Sequence, residues 1–262
     1  MTPECRQIRE DILTISKLSG HGHIPTCFSI VELLYAVYSF MNHKPDNPQW
    51  NERDIFILSK GHGALAHYCV LARFGYFDIH KVHGFGAFMS DFGCHADRLK
   101  VPGIEVSTGS LGHGIGVAAG IALALKIKKS TRRVYTLVGD GESNEGTVWE
   151  AVMVAVNRGL DNLTIIYDDN RSHSRGLQIH TPVEHFRGFG CEVIETSGHD
   201  LAALQKALQE PVKSVKVKVI AARTEKGHGC PTLVQNQYGW HRRSPNDEEF
   251  NTLMRELNEK TV

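Results

Sequence analysis

The stretch Arg133–Asn170 reads RVYTLVGDGESNEGTVWEAVMVAVNRGLDNLTIIYDDN. Two short apolar runs, Val134–Val138 and Leu163–Tyr167, enclose a segment whose apolar residues recur at helical spacing. Runs that are apolar on both faces are typical of strands in a parallel sheet, so the stretch predicts a strand–helix–strand unit with a right-handed crossover. The carboxyl ends of both strands then meet at one edge of the sheet. We therefore predict an α/β fold in which helices flank a parallel sheet.

Polar residues follow both strands at that edge. Gly139-Asp140-Gly141 ends the first strand, and Asn170 ends the second about thirty residues later. Carboxylate and amide oxygens suit a hard cation such as Mg²⁺ or Ca²⁺, which keeps phosphate oxygens of a ligand in its shell. The glycines and the nearby helix N-terminus allow a phosphate to approach. The tripeptide alone is equally compatible with an ordinary turn capped by Asp140, but its pairing with Asn170 favours a metal–diphosphate site.

Gly139-Asp140-Gly141 through Asn170 resembles the thiamine-diphosphate motif, and the whole stretch is similar in detail to transketolases. The resemblance implies the thiamine-diphosphate-binding fold, with residues 1–262 as a single diphosphate-side domain. It also implies that the backbone carbonyl of Ser172 completes the shell of an Mg²⁺ (or Ca²⁺) ion held by Asp140 and Asn170. Further cofactor contacts are expected at Gly139, Gly141 and Glu142.

Four histidines stand in loops where small residues let a ligand approach. Taken alone, a loop histidine is more often solvated, and a glycine-rich turn can hold one without a functional reason. The resemblance implies instead that His62 and His241 contact the diphosphate and that His23 and His95 face the substrate. Together these four would position hydroxyls and stabilise a developing alkoxide. The roles of two further histidines stay open: His113 and His228.

The segment Val106–Gly120 permits two interpretations. Gly114-x-Gly116-x-x-Ala119 satisfies the dinucleotide fingerprint, and Asp140 falls about where a ribose-binding acid would lie, so an NAD-dependent dehydrogenase is one alternative. Against it, the preceding residues form a weak strand and Asp140 is wedged between glycines. The resemblance to transketolases implies instead that this segment contacts the cofactor rings through the backbone of Gly109 and the side chain of Leu111.

Two features around the motif helix bear on assembly and specificity. Glu145 is an acid at a helix start, which the helix dipole favours; the resemblance implies that it also lies at a subunit interface and relays protons between paired sites. After Asn170, the letters Arg171–Gly176 depart from the family and the path to Phe186 is about five residues shorter. This departure keeps open a 2-oxo acid decarboxylase or acyl-transferring relative.

Composition excludes several kinds of partner. The 262 residues carry 29 basic and 29 acidic side chains, so electrostatics favours neither nucleic acid nor an anionic membrane. The N-terminus lacks the pattern of a secretory signal, and no apolar run approaches the roughly twenty residues of a spanning helix. The six scattered cysteines predict free thiols in a reducing compartment. We expect a cytoplasmic protein that binds small ligands and protein partners.

The resemblance covers only the diphosphate-binding half of a transketolase. In the family, a pyrimidine-binding domain supplies the glutamate that protonates the aminopyrimidine, and here that domain is expected on a separate C-terminal subunit, in an α2β2 assembly. The expected activity is transfer of a two-carbon ketol unit from a ketose (phosphate) to an aldose (phosphate).

Overall fold

The computed structural model describes residues 1–172, 179–212 and 214–259. Within them lie five strands: β1 (Ile55–Leu58), β2 (Val134–Gly139), β3 (Leu163–Asp169), β4 (Glu192–Ser197) and β5 (Lys218–Arg223). The α-helices of the same residues are α1 (Pro3–Ser19), α2 (Ile24–Ser29), α3 (Val31–Phe40), α4 (Ala64–Arg73), α5 (His113–Ile127), α6 (Gly146–Asn157), α7 (Pro182–Phe189), α8 (Leu201–Gln209), α9 (Pro231–Gln235) and α10 (Asp247–Asn258).

All five strands are parallel and form one sheet in the order β1-β2-β3-β5-β4. The predicted α/β fold is therefore confirmed, with α6 as the crossover between β2 and β3. The register pairs Gly139 with Asp168, and Asp168 in turn with Ala222. The carboxyl ends of the three central strands thus meet at one edge.

Helices cover both faces of the sheet, and neighbouring residues of each strand alternate between two cores. Phe56 and Leu58 of β1 point into the core under α1, α3, α4, α8 and α10, whereas Ile55 and Ile57 point into the core under α5, α6 and α7. Burial on both faces explains why β1, β2, β3 and β5 are mainly apolar, whereas the edge strand β4 is only half-buried.

Two element boundaries depend on local backbone geometry and on exposure. The helices α2 and α3 are separate elements. They meet at Ile30, whose φ of −107° and ψ of 4° lie outside α-helical values. Strand β5 begins at Lys218, whose ammonium is buried against the carbonyls of Ala207 and Leu208, whereas Val215 is exposed.

Three further expectations concern the segment after Asn170, the cysteines and membrane-spanning helices. The segment 173–178, which holds most of the departure from the family, lies outside the described residues. All six cysteines are free thiols, as predicted. Among the helices of residues 1–172, 179–212 and 214–259, none combines the length and apolar composition that crossing a bilayer requires.

Candidate active site

A cavity of about 500 Å³ opens at the carboxyl edge of the sheet. Most of the predicted site residues line it: His23, His62, His95, Gly109, Leu111, Gly139, Asp140, Gly141, Glu142, Ser172 and His241. Three residues that the sequence analysis did not select complete its walls: Lys60, Lys226 and Tyr238. Asn170 is buried behind the wall, and Glu145 is exposed at the N-cap of α6, outside the cavity.

Three imidazoles form a cluster in the cavity. The ring centroid of His23 lies 5.4 Å from that of His62 and 5.4 Å from that of His241. Burial lowers the pKa of His23 to about 4, with neighbouring His241 adding to the effect. Burial also lowers the pKa values of His62 and His241, helped by nearby lysines. All three rings are therefore neutral at neutral pH, so each offers one hydrogen-bond donor and one acceptor.

The three predicted metal ligands lie in one hydrogen-bonded group. The hydroxyl of Ser172 donates to Oδ1 of Asp140 over 2.6 Å, and the backbone N–H of Ser172 donates to Oδ1 of Asn170 over 3.0 Å. Every candidate ligand atom here is an oxygen, which fits a hard divalent cation. Among the described residues, no group of three or more His, Cys, Asp or Glu side chains is arranged to hold a metal.

A buried carboxylate behind this group, Asp168, was missed by the sequence analysis. Its Oδ2 accepts from Lys60 Nζ (2.6 Å), from Ser29 Oγ (3.0 Å) and from Asn170 Nδ2 (2.7 Å), while its Oδ1 accepts from Thr224 Oγ1. Because the amide nitrogen of Asn170 is engaged by Asp168, the amide oxygen is fixed on the opposite side, toward the candidate metal site. The only sequence signal was the acidic pair that precedes Asn170.

A buried lysine adds positive charge next to the imidazoles. The Nζ of Lys226 lies 3.2 Å from Nδ1 of His241. Burial lowers the pKa of Lys226 to about 8, and the charge of Lys60 adds to the shift, so the ammonium form still predominates at neutral pH. Since an ammonium has only donors, Nδ1 of His241 is the acceptor and Nε2 carries the ring proton. From this loop only His228 was named from the sequence, and its role was left open.

Glu142 joins three segments of the wall. Its carboxylate accepts from Ser59 Oγ (2.6 Å), from the N–H of Gly112 (2.9 Å) and from the N–H of Gly139 (3.0 Å). Burial raises its pKa, although these three donors oppose the shift. The residue was predicted to contact the cofactor; in the structure it lines the cavity, and its carboxylate bonds to the protein.

The glycines of the Val106–Gly120 segment serve close packing. A Cβ atom at Gly114 would lie 2.6 Å from the Cα of Ser59, so only glycine lets α5 approach β1 this closely. Gly114 and Gly116 lie inside the first turn of α5, and residues 104–112 form no strand. A dinucleotide fingerprint requires its glycines in the turn between a strand and a helix, so the geometry of a nicotinamide site is not formed here.

The fold and the cavity define an α/β enzyme whose site lies at the carboxyl ends of parallel strands. Residues 5–258 match the family described as transketolase, thiamine diphosphate binding domain. The chain belongs to the transketolase family.

Similar proteins include chains that are named as transketolase subunits. The chain is 35% identical to one such subunit of the apulose-4-phosphate transketolase from Actinobacillus succinogenes, over 98% of this chain and 95% of that protein. It is 36% identical to a 6-deoxy-6-sulfo-D-fructose transketolase subunit of a Clostridium species, over 93% of this chain and 90% of that protein. The transketolase structure from Campylobacter jejuni superposes with a TM-score of 0.89 at 26% identity, covering 97% of this chain and 42% of that chain.

These matches confirm the resemblance to the N-terminal subunit of a two-chain transketolase. The chain spans about two fifths of the solved transketolase, whereas it spans nearly all of the two subunits. The two alternatives, the decarboxylase and the dehydrogenase, are not favoured by these relatives.

Proposed function

We propose that this chain is the diphosphate-binding subunit of a transketolase that transfers a two-carbon ketol unit from a ketose (phosphate) to an aldose (phosphate). One observation carries the proposal: a single cavity holds both the oxygen ligands of Asp140 and Ser172 and the cluster of neutral imidazoles. The relatives named as transketolase subunits support it, because the chain matches them over nearly their whole length.

The cavity fits the cofactor and a divalent cation. Mg²⁺, or the similarly hard Ca²⁺, would be held by Asp140, Asn170 and the carbonyl of Ser172. Lys226 would balance the negative charge of a diphosphate, and Gly109 and Leu111 would line the part of the cavity that takes the rings. Thiamine diphosphate, when bound, supplies a carbon nucleophile and an electron sink for cleaving the bond next to a ketose carbonyl.

The imidazoles have the protonation state that ketol transfer needs. Since His23, His62 and His241 are neutral, they donate hydrogen bonds to substrate hydroxyls and to an oxygen on which negative charge develops. His241 donates through Nε2, because Lys226 occupies its Nδ1. His95, on the cavity wall, would add a further group that faces the substrate.

The partner in this proposal is a C-terminal, pyrimidine-binding subunit in an α2β2 assembly in the cytoplasm. Helices α5 and α6 pack side by side and expose apolar side chains to solvent: Val117, Ile127, Met153 and Val154. Glu145 is exposed at the start of α6, so it would lie in the interface that covers this face and could relay protons across it.

Calorimetry tests the proposal. Thiamine diphosphate with Mg²⁺ is titrated into the chain alone and into the chain mixed with its candidate partner, and ketol transfer from ketose phosphates is compared with decarboxylation of pyruvate. We expect binding and ketol transfer in the mixture and neither in an Asp140→Ala variant. Asp46→Ala, which removes an exposed carboxylate, serves as the control. Binding that survives in Asp140→Ala contradicts the metal assignment, and turnover of pyruvate alone points to the decarboxylase.

A further inference from the structure

A second, smaller cavity of about 210 Å³ adjoins the catalytic cavity. The two cavities share His23 and His95 as walls. The remaining walls come from the turn after α1, the loop before α5 and the segment before α10: Gly20, His21, Gly22, Phe85, Cys94, Arg242 and Arg243. A substrate held by His23 and His95 can therefore extend into this space.

The two arginines of this cavity differ in their partners. Arg243 donates two hydrogen bonds to the carboxylate of Glu249, at 2.9 and 2.7 Å, and stacks 3.5 Å from the ring centroid of Trp240. Arg242 is exposed and forms no hydrogen bond or ion pair with any part of the chain that the structure describes. Its positive charge is therefore available to a ligand.

Among the residues that the structure describes, no acidic side chain opposes that charge at the cavity. Of the described residues that line it, none carries a carboxylate. Arg242 also influences the neighbouring site: burial is the main cause of the lowered pKa of His23, and the charge of Arg242 is among the further causes. A guanidinium beside the neutral imidazole of His23, without a compensating carboxylate, attracts an anion.

We propose that the small cavity binds the terminal tetrahedral oxyanion of the sugar substrate, a phosphate ester or a sulfonate, with Arg242 as its cationic ligand. This assignment rests on the proposed transketolase function, since the sugar chain is taken to run from this cavity past His23 and His95. A guanidinium binds two oxygens of such a group at once, which gives both strength and orientation. The chain itself, and not only its partner, then selects charged substrates.

A cysteine in the cavity provides a direct test of binding. Cys94 lines the cavity and is partly exposed, whereas the other five cysteines are buried. Labelling of Cys94 by the uncharged reagent N-ethylmaleimide is followed in inorganic phosphate, in methanesulfonate and in chloride at equal ionic strength. We expect both oxyanions to slow labelling several-fold in the native chain and in the control Arg98→Gln, and to have no effect in Arg242→Gln.

Two results of this test overturn the proposal. One is equal protection by chloride, which indicates general ionic screening; the other is protection that persists in Arg242→Gln. Protection by only one of the two oxyanions supports the proposal and identifies which group the cavity takes. Because labelling needs neither cofactor nor turnover, its outcome does not depend on the proposed activity.

Kinetics of the assembled two-chain enzyme give a second test. In Arg242→Gln we expect the KM for a ketose phosphate to rise about tenfold, with the KM for an uncharged ketose and the affinity for thiamine diphosphate unchanged. Arg242→Lys should keep part of the preference, since it keeps the charge but loses the paired donors. An equal change for charged and uncharged ketoses contradicts the anion assignment. Failure of the native enzyme to bind the cofactor counts instead against the proposed function.

Discussion

Single buried charges organise the site at the residue scale. Asp168 and Lys60 form an ion pair of 2.6 Å in which both side chains are almost fully buried. The residue after Asp168, Asp169, pairs with Arg171 and Arg223, whose side chains are largely exposed. The two aspartates therefore lie at the same strand end, but Asp168 is buried together with its partner, whereas Asp169 is 18% exposed and pairs with exposed arginines.

The same substitution at these two positions should have different effects. Asp168→Asn leaves the ammonium of Lys60 buried without its counter-charge, so we expect the free energy of unfolding to fall by about 3–5 kcal/mol. It also removes the acceptor that orients the amide of Asn170, so Mn²⁺ affinity should fall about 10–100-fold. Asp169→Asn, the control, should cost at most about 1 kcal/mol because its partners are exposed. Urea denaturation and Mn²⁺ titration followed by electron paramagnetic resonance measure both quantities; equal losses in the two variants contradict the role given to Asp168.

The lowered pKa of Lys226 predicts how cofactor affinity depends on pH. Lys226 is protonated below its pKa of about 8 and neutral above it, so its attraction for a diphosphate is present at pH 7 and lost as pH rises through 8. We expect the affinity for thiamine diphosphate to decrease between pH 7 and pH 9. In Lys226→Met the affinity at pH 7 should be about tenfold weaker and this decrease should be absent.

Calorimetry at several pH values on the assembled enzyme measures this effect. Lys100→Met removes an exposed ammonium away from the cavity and should reproduce the native profile. Parallel pH profiles for the native enzyme and Lys226→Met would mean that another group causes the decrease.

At the scale of elements, the approach of α5 to β1 depends on glycine. A side chain at Gly114 would meet the backbone of Ser59, whereas a side chain at Gly116 would meet nothing within 4 Å. Gly114→Ala should therefore lower the free energy of unfolding by about 1–3 kcal/mol, because the backbone must shift. Gly116→Ala on the same helix should raise it by up to about 1 kcal/mol through helix propensity. Urea denaturation of the isolated chain distinguishes them, and changes of the same sign would contradict the packing described.

At the scale of the whole molecule, α5 and α6 leave apolar side chains uncovered. Val117 and Ile127 of α5 and Met153 and Val154 of α6 are exposed on the side of the sheet opposite α1. Under the proposed α2β2 assembly, Met153→Lys should reduce the assembled mass in sedimentation experiments with the partner and leave the circular dichroism of the chain unchanged.

The matched control for this substitution is Leu18→Lys. Leu18 is a similarly exposed apolar residue, but it lies on α1, on the other side of the sheet. Its substitution should leave the assembled mass unchanged. Assembly that is insensitive to Met153→Lys, or equally sensitive to both substitutions, contradicts the placement of the interface on α5 and α6.

Local sequence patterns were sufficient to predict the parallel sheet, the edge at which its polar ends meet and most residues of the cavity wall. These patterns are apolar runs of strand length, a helical period between them, and Gly139-Asp140-Gly141 at the strand end. Local patterns do not predict the break between α2 and α3 or the start of β5 at Lys218, because tertiary contacts and exposure decide them.

The surroundings of Asp168 and the cations that reach the cavities depend instead on tertiary packing. The strand order inserts β5 between β3 and β4, which brings Thr224 beside Asp168, and the packing of α2 and β1 adds Ser29 and Lys60. These partners are 56, 139 and 108 residues away in sequence. Local periodicity does not predict such pairings, since they depend on how distant elements pack. For the same reason, the sequence did not predict that Lys226 lies beside His241.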